Sequence, residues 1–238
     1  MRSFAIAALS DVHGPRFLAY VRSSLDIFMK ADVVLLAGDI VDRGEVKHAR
    51  MVVDLIRSMY KGEVVSVFGN EEYDDRKKEL IQSCSDVNWL DDEVAYMELK
   101  GTTLAIVGTR GILDKPTIWQ ERHIPNIREV YEKRLQIILK YLREAKRRSD
   151  HTVLLTHYTP ICQTLEGENV KLWSQMGSLK LTRLIIREHV EIVVHGHAHK
   201  SIKTYTNLGA TQVYNVALPA TKQATLIRVG KRGLENFI

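Results

Sequence analysis

A chain of 238 residues with 45 % apolar side chains can bury a sizeable core, and its formal charge of +5 permits a phosphorylated, anionic partner without by itself indicating nucleic acid. No run approaches the roughly 20 apolar residues of a membrane span, and Phe4–Leu9 is shorter than the roughly 7–15 residues of a signal-peptide core, so a membrane is excluded as partner and that run reads as a first strand. Cys84 and Cys162 have neither metal-binding spacing nor the look of a disulfide framework, which points to a reducing, cytoplasmic compartment.

The first strand covers about Ser3–Leu9. Pro15 is placed to open a helix at its first position, and Phe17, Leu18, Val21, Leu25 and Phe28 give that helix an apolar stripe. A strand at Asp32–Ala37 follows. Met51, Val52, Leu55, Ile56 and Met59 then mark a second helix that ends before Gly62, and Val64–Phe68 is the next strand. Strands and helices alternating at this spacing predict a parallel sheet with crossover helices, and such sheets take ligands beyond the carboxyl ends of their strands. From Asp86 the runs shorten. Glu93–Leu99 and Thr102–Val107, joined at Lys100-Gly101, read as a hairpin, and Thr109–Pro125 shows no period. Asn126–Arg148 is a long amphipathic helix whose basic end, Lys146-Arg147-Arg148, complements the helix dipole. Strand Thr152–Leu155, an irregular loop Tyr158–Met176, a helix at Leu179–Arg187 and strand Glu191–His195 continue the alternation. Three β-like runs close it: Ile202–Thr206, Thr211–Val216 and Ala224–Val229, with a turn at Leu208-Gly209. With no repeat, low-complexity tract or linker, residues 1–238 read as one α/β domain.

Five of the apolar runs end in metal-type donors. Val33–Asp42 delivers Asp39, with Asp42 three residues on. The run from Phe4 delivers Asp11 and His13, Val64–Glu72 delivers Asn70, Thr152–His157 delivers His157, and Glu191–His199 delivers His197 and His199. One such run means little, but five converging in a parallel-sheet fold make a metal site. Imidazole and carboxylate donors suit Mn²⁺, Fe²⁺ or Zn²⁺, and the lack of thiolates argues against a structural zinc site. A carboxylate such as Asp39 can bridge two ions roughly 3.5–4 Å apart, which together activate water and neutralise a phosphoryl group.

In this order the blocks Asp11-Val12-His13, Gly38-Asp39-Ile40-Val41-Asp42, Gly69-Asn70-Glu71-Glu72, Thr156-His157 and Gly196-His197-Ala198-His199 resemble the calcineurin-like binuclear metallophosphoesterase superfamily. The resemblance implies a four-layer αββα sandwich with the metal site at the C-terminal ends of the core strands. It implies one ion on Asp11, His13, Asp39 and His199, and a second on Asp39, Asn70, His157 and His197. It also implies hydrolysis of a phosphoester by a hydroxide that two divalent ions activate, with Mn²⁺ favoured and Fe, Zn or Ni as alternatives. Asn70, Asp42 and the residue after Asn70 are the catalytic positions. That last residue is Glu71 where the superfamily has histidine, so the acid half of the mechanism differs here.

The favoured activity is therefore phosphodiesterase or phosphatase action on a small phosphorylated molecule. Two alternatives stay open: a nuclease, suggested by the mild basicity, and a binding scaffold that keeps the fold, suggested by Glu71. His48, His123, His151 and His189 lie outside the motifs, with His123 the best placed to reach a substrate, and His195 reads as a packing residue. Arg43 and Arg110 are candidates for a phosphate contact and equally for a surface role. Trp119 and Trp173 fall in loops, where anchoring is the commoner use and base stacking the alternative.

Overall fold

The structure is a computed structural model and describes residues 3–230. In chain order its elements are β1 (Phe4–Leu9), α1 (Leu18–Arg22), α2 (Leu25–Phe28), β2 (Val33–Ala37), α3 (Val46–Met59), β3 (Glu63–Val67), α4 (Lys77–Ser83) and β4 (Asn88–Leu90). Then come β5 (Glu93–Leu99), β6 (Thr102–Thr109), α5 (Ile118–His123), α6 (Ile127–Arg148), β7 (His151–Thr156), β8 (Thr159–Pro160) and β9 (Gly177–Ser178). The remainder is α7 (Leu179–Arg187), β10 (Ile192–His195), β11 (Tyr205–Leu208), β12 (Thr211–Asn215), α8 (Leu218–Thr221) and β13 (Thr225–Val229).

Two sheets are formed, in the orders β13-β1-β2-β3-β4 and β11-β12-β10-β7-β6-β5, with β8 and β9 as a small separate pair. The inner strands pair in parallel and the edges β13, β11 and β5 are antiparallel. Period-two alternation along each strand sorts side chains into separate cores. Ile6, Ala8, Val33, Leu35 and Ala37 face Leu104, Ile106, Val153, Leu155, Ile192 and Val194 between the sheets. Their neighbours Ala7, Leu9, Val34 and Leu36 pack on Val21, Phe28, Val52, Val53 and Ile56 of the first helix layer. On the far side Ala105, Val107, Leu154 and Val193 pack on Tyr131, Ile138, Leu142, Leu181 and Ile185. Three cores between four layers are the αββα sandwich expected.

The sheets join at the carboxyl ends of their central strands. Ser10 N–H donates to the Val216 carbonyl at 3.0 Å, the Ser10 carbonyl accepts from Leu218 N–H at 3.0 Å, and Val216 N–H donates to His195 O at 2.8 Å. The chain leaving β12 thus crosses to the end of β1 before β13 pairs with β1.

Several expectations need correction. Pro15 does not open a helix: residues 13–17 form a turn that contains a cis Gly14-Pro15 bond, with Arg16 N–H on His13 O at 2.8 Å, and the helix starts at Leu18 and breaks at Ser23-Ser24. The second helix begins earlier, at Val46, because Val46 and Ala49 extend its buried face. Helix α4 and strand β4 were not expected; α4 buries only Leu80 and so shows no stripe. Part of Thr109–Pro125 is helix α5, and the loop Tyr158–Met176 contains β8 and two 3₁₀ turns. Near the C-terminus the strand is Tyr205–Leu208 rather than Ile202–Thr206, since Ile202 N–H is taken by Glu166 O at 2.8 Å and its side chain is exposed.

Candidate metal centre

All seven motif donors follow the carboxyl ends of β1, β2, β3, β7 and β10, the first three in one sheet and the last two in the other. The turns there are tight. Asp11, His13, Asp39 and His197 all have positive φ, at 54°, 42°, 51° and 70°. Non-glycine residues in that region cost about 1–3 kcal/mol each, so the surrounding packing fixes them. Gly196 lies where a Cβ would come within 2.5 Å of both Asp11 Oδ2 and Ser10 Oγ, so only glycine lets the histidine loop close on β1.

The donors form two groups, Asp11, His13 and His199, and Asp39, His157 and His197, each with ligand atoms within 4.8 Å of one another. In the first, His199 Nε2 is 2.7 Å from Asp11 Oδ1 and 3.4 Å from His13 Nε2. In the second, His157 Nδ1 donates to the Ala37 carbonyl at 2.9 Å, which leaves Nε2 with a lone pair. That lone pair faces Asn70 Oδ1 at 3.0 Å and Asp39 Oδ2 at 3.4 Å. Asp39 Oδ2 is also 3.9 Å from His13 Nε2, so it stands between the groups. Lone pairs of nitrogen, amide and carboxylate converge here on one point. Such a set fits a divalent cation and repels itself otherwise.

The electrostatics agree with ligand duty. Burial lowers the imidazoles of His13 and His197, and takes His157 down to about 4, so all three stay neutral. For His199 burial acts downward too, but the hydrogen bond and charge contact with Asp11 outweigh it and the imidazole is raised. Burial and the Glu72 and Asp11 carboxylates push Asp39 well above the carboxylate range, whereas for Asp11 burial is outweighed by the His199 bond and nearby imidazoles, and it falls below that range. Buried acids this close call for positive charge among them.

Two supporting residues were missed in sequence. Glu72 is buried and accepts backbone N–H groups from Asp39 at 2.8 Å, Ile40 at 2.8 Å, Val41 at 3.1 Å and Gly69 at 2.6 Å. Asn215, at the end of β12, donates to Ala198 O at 2.8 Å and accepts from Ala217 N–H at 3.1 Å, bracing the loop between His197 and His199. Glu72 had a visible signal, a second acid directly after Glu71; Asn215 had none.

Glu71 accepts Arg43 N–H at 2.8 Å through Oε2, and its Oε1 is 3.4 Å from Asn70 Nδ2. Asp42 is half-buried and, among the described residues, makes no side-chain hydrogen bond or ion pair. A mouth of about 280 Å³ over the donors is lined by His13, Asp39, Asn70, Glu71, His197 and His199, together with Glu168, Met176 and Lys200. Beside it a cleft of about 860 Å³ shares Asn70, Glu71 and His197 and runs to Arg110, Trp119, His123 and Tyr158. Arg110 places Nη2 on the Glu72 carbonyl and on Asp74 Oδ1, both at 3.0 Å, while its buried Nε has no hydrogen-bond partner among the described residues. Arg43 is exposed and lines neither space. Trp173 anchors its loop by donating to Glu168 O at 3.3 Å, and His195 is buried with Nε2 on Thr164 Oγ1 at 2.8 Å, away from the donors' lone pairs. His48, His151 and His189 line neither the mouth nor the cleft.

The sequence profile of the calcineurin-like phosphoesterases matches residues 4–201. A comparison with the curated proteins returns no match. Among solved structures, the phosphopantetheinyl hydrolase PptH of Mycobacterium tuberculosis is similar with a TM-score of 0.66 at 18 % identity, covering 90 % of this chain and 88 % of that one. TT1561 of Thermus thermophilus gives 0.59 at 14 % identity, with 94 % and 98 % covered. GAP50, the anchor in the inner membrane complex of Plasmodium, gives 0.68 at 11 % identity, with 98 % and 83 % covered. At these identities the likeness is one of fold.

Proposed function

The chain belongs to the calcineurin-like phosphoesterase family, whose activity is metal-dependent phosphoester hydrolysis, and from that premise we propose that it cleaves a small phosphorylated molecule using two divalent ions. The observation that carries this is the convergence of the His157 lone pair, Asn70 Oδ1 and Asp39 Oδ2 beside a second cluster of Asp11, His13 and His199. Asp11, His13, Asp39 and His199 would hold one ion and Asp39, Asn70, His157 and His197 the other, with Asp39 shared. The pair supplies Lewis acidity and lowers the pKa of water. Nitrogen and oxygen donors without thiolate suit Mn²⁺, with Fe²⁺, Zn²⁺ and Ni²⁺ as alternatives.

The protein's part is positioning. Ala37 O fixes the His157 tautomer, Glu72 fixes the two loops that carry Asp39 and Asn70, and Asn70 and His197 border both mouth and cleft, where the phosphoryl group enters. The Lys200 ammonium lines the mouth, has no partner among the described residues, and is free to hold a phosphoryl oxygen. Both Glu71 oxygens are engaged by neighbouring donors, which supports a preference for substrates whose leaving groups depart without a proton.

The basic end of α6 does not favour a nuclease. Arg148 pairs with Glu144 and sits over the Tyr96 ring at 4.4 Å. It precedes β7, whose six residues separate it from His157 by roughly 20 Å. Metal-stripped protein supplied in turn with Mn²⁺, Ni²⁺, Zn²⁺ and Mg²⁺ should hydrolyse a monoester or diester and leave oligonucleotides intact. Cleavage of oligonucleotides alone, or of nothing, overturns the proposal.

A further inference from the structure

The cleft beside the donors has a built aromatic wall. Helix α5 starts with a capping box, in which Thr117 Oγ1 accepts Gln120 N–H at 3.2 Å and Gln120 Oε1 accepts Thr117 N–H at 2.9 Å. The same Gln120 amide donates through Nε2 to the buried Tyr158 hydroxyl at 3.0 Å. The Tyr158 ring in turn lies edge-on to His197, with centroids 5.1 Å apart. One side chain therefore fixes α5 relative to the histidines of the candidate centre.

What α5 presents is Trp119. Its indole is stacked on His123 at 4.7 Å with 19° between the planes, and His123 Nδ1 is locked on the Trp119 carbonyl at 2.8 Å. The residue is nonetheless 61 % exposed and lines the cleft, so His123 covers one indole face and the other is open. An exposed tryptophan held rigid costs little further ordering when a ring stacks on it.

The charges of the cleft restrict what else it accepts. Asp74 is matched by Arg110 and Lys77, while Glu71 and Asp75 remain on the same lining. No lysine lines the cleft, its arginine is turned through Nη2 to the Glu72 carbonyl and Asp74, and the acids on the lining oppose a second phosphate. The shared border at Asn70, Glu71 and His197 makes cleft and mouth one continuous space.

We propose that the cleft seats a planar aromatic group of the phosphoester on the open face of Trp119, and that the chain selects substrates with one phosphoryl group at the mouth and an uncharged ring in the cleft. This rests on the phosphoesterase assignment above, and the test separates the two. Calorimetry on the full chain with Mn²⁺ compares adenosine 5′-monophosphate with ribose 5-phosphate, which lacks the ring, and with adenosine 5′-diphosphate, which adds a phosphate. The monophosphate should bind about ten-fold tighter than ribose 5-phosphate, within the range of one base stacked on an aromatic side chain, and tighter than the diphosphate. Trp119→Ala should erase the advantage over ribose 5-phosphate and Trp119→Phe should restore most of it. Equal binding of the first two ligands, tighter binding of the diphosphate, or an advantage that survives Trp119→Ala overturns the assignment. Phosphoester hydrolysis without ring preference sinks the cleft alone. Trp119-dependent binding by a chain that hydrolyses nothing sinks the phosphoesterase proposal and leaves the cleft standing.

Discussion

The Glu72 carboxylate accepts the backbone N–H of Asp39 at 2.8 Å through the oxygen that also accepts that of Gly69 at 2.6 Å, so one buried side chain couples the loop after β2 to the loop after β3. Its other oxygen takes Ile40 and Val41. An amide there turns one acceptor into a donor facing N–H groups. Glu72→Gln should therefore lower stability by about 2 kcal/mol, the scale of leaving buried donors unmet. It should also weaken Mn²⁺ binding while the far-UV spectrum is kept. Unchanged unfolding midpoint and metal affinity would remove Glu72 from the site's support.

Asp39 makes a contrasting case. Its Oδ2 lies between His13 Nε2 and His157 Nε2, and an amide lacks the charge to bridge two cations. Asp39→Asn should fold, bind fewer than two equivalents of metal and lose turnover. Two equivalents and normal rates in the purified variant would mean that Asp39 is not the bridge.

Glu71 is tested by leaving groups. With its oxygens engaged by Arg43 N–H and facing Asn70 Nδ2, Glu71→Gln should slow a poor alkoxide and a good aryloxide to a similar degree. Glu71→His should raise the rate on the alkoxide. A far larger loss on the alkoxide in Glu71→Gln would identify Glu71 as the acid instead.

Acid stability depends on Asp86, which ties α3 to the turn before β4. Arg50 Nη1 reaches its Oδ1 at 2.7 Å and Arg57 Nε its Oδ2 at 3.1 Å. The Arg50 hydrogen bond, against a smaller opposing effect of burial, holds the carboxyl below its ordinary 3.8. A depressed folded pKa contributes stability above the unfolded value, and that contribution is lost as pH falls through the folded one. Asp86→Asn should thus be less stable than wild type at neutral pH, with the gap narrowing as pH falls below about 3.8. Urea midpoints measured across that range check it, and a gap independent of pH counts against the pairing.

The parallel core strands and the loops that carry the donors were legible because each core strand is a short apolar run whose last residues must turn sharply towards the cleft. The turn at Gly14-Pro15 was not: Pro15 suits a helix start, and only the tertiary bond from His13 N–H to Asp39 O at 3.0 Å shows the chain committed to the donor loop instead. Helix α5 was hidden because it buries Gln120 rather than an apolar stripe, with Ile118 and Trp119 pointing out. Its capping box, Thr117 and Gln120 three residues apart, was the available signal. Asn215 stayed invisible because its partners lie at residues 198 and 217, joined only when β12 pairs with β10.

The seam through Ser10 and Val216 brings together donors that the ribosome delivers far apart. Asp11, His13, Asp39 and Asn70 emerge in the first third of the chain, and His157, His197 and His199 only after α6 is complete. Because synthesis runs from the N-terminus, a half-made chain carries carboxylates with a single motif imidazole and has only the β5–β6 hairpin of the second sheet to oppose them. At the proposed centre, full ion capture would therefore be a late event that reports on docking of the two sheets. An ion that binds only the docked form adds its own binding free energy to that docking, so metal at the proposed centre would also hold the two halves of this protein together.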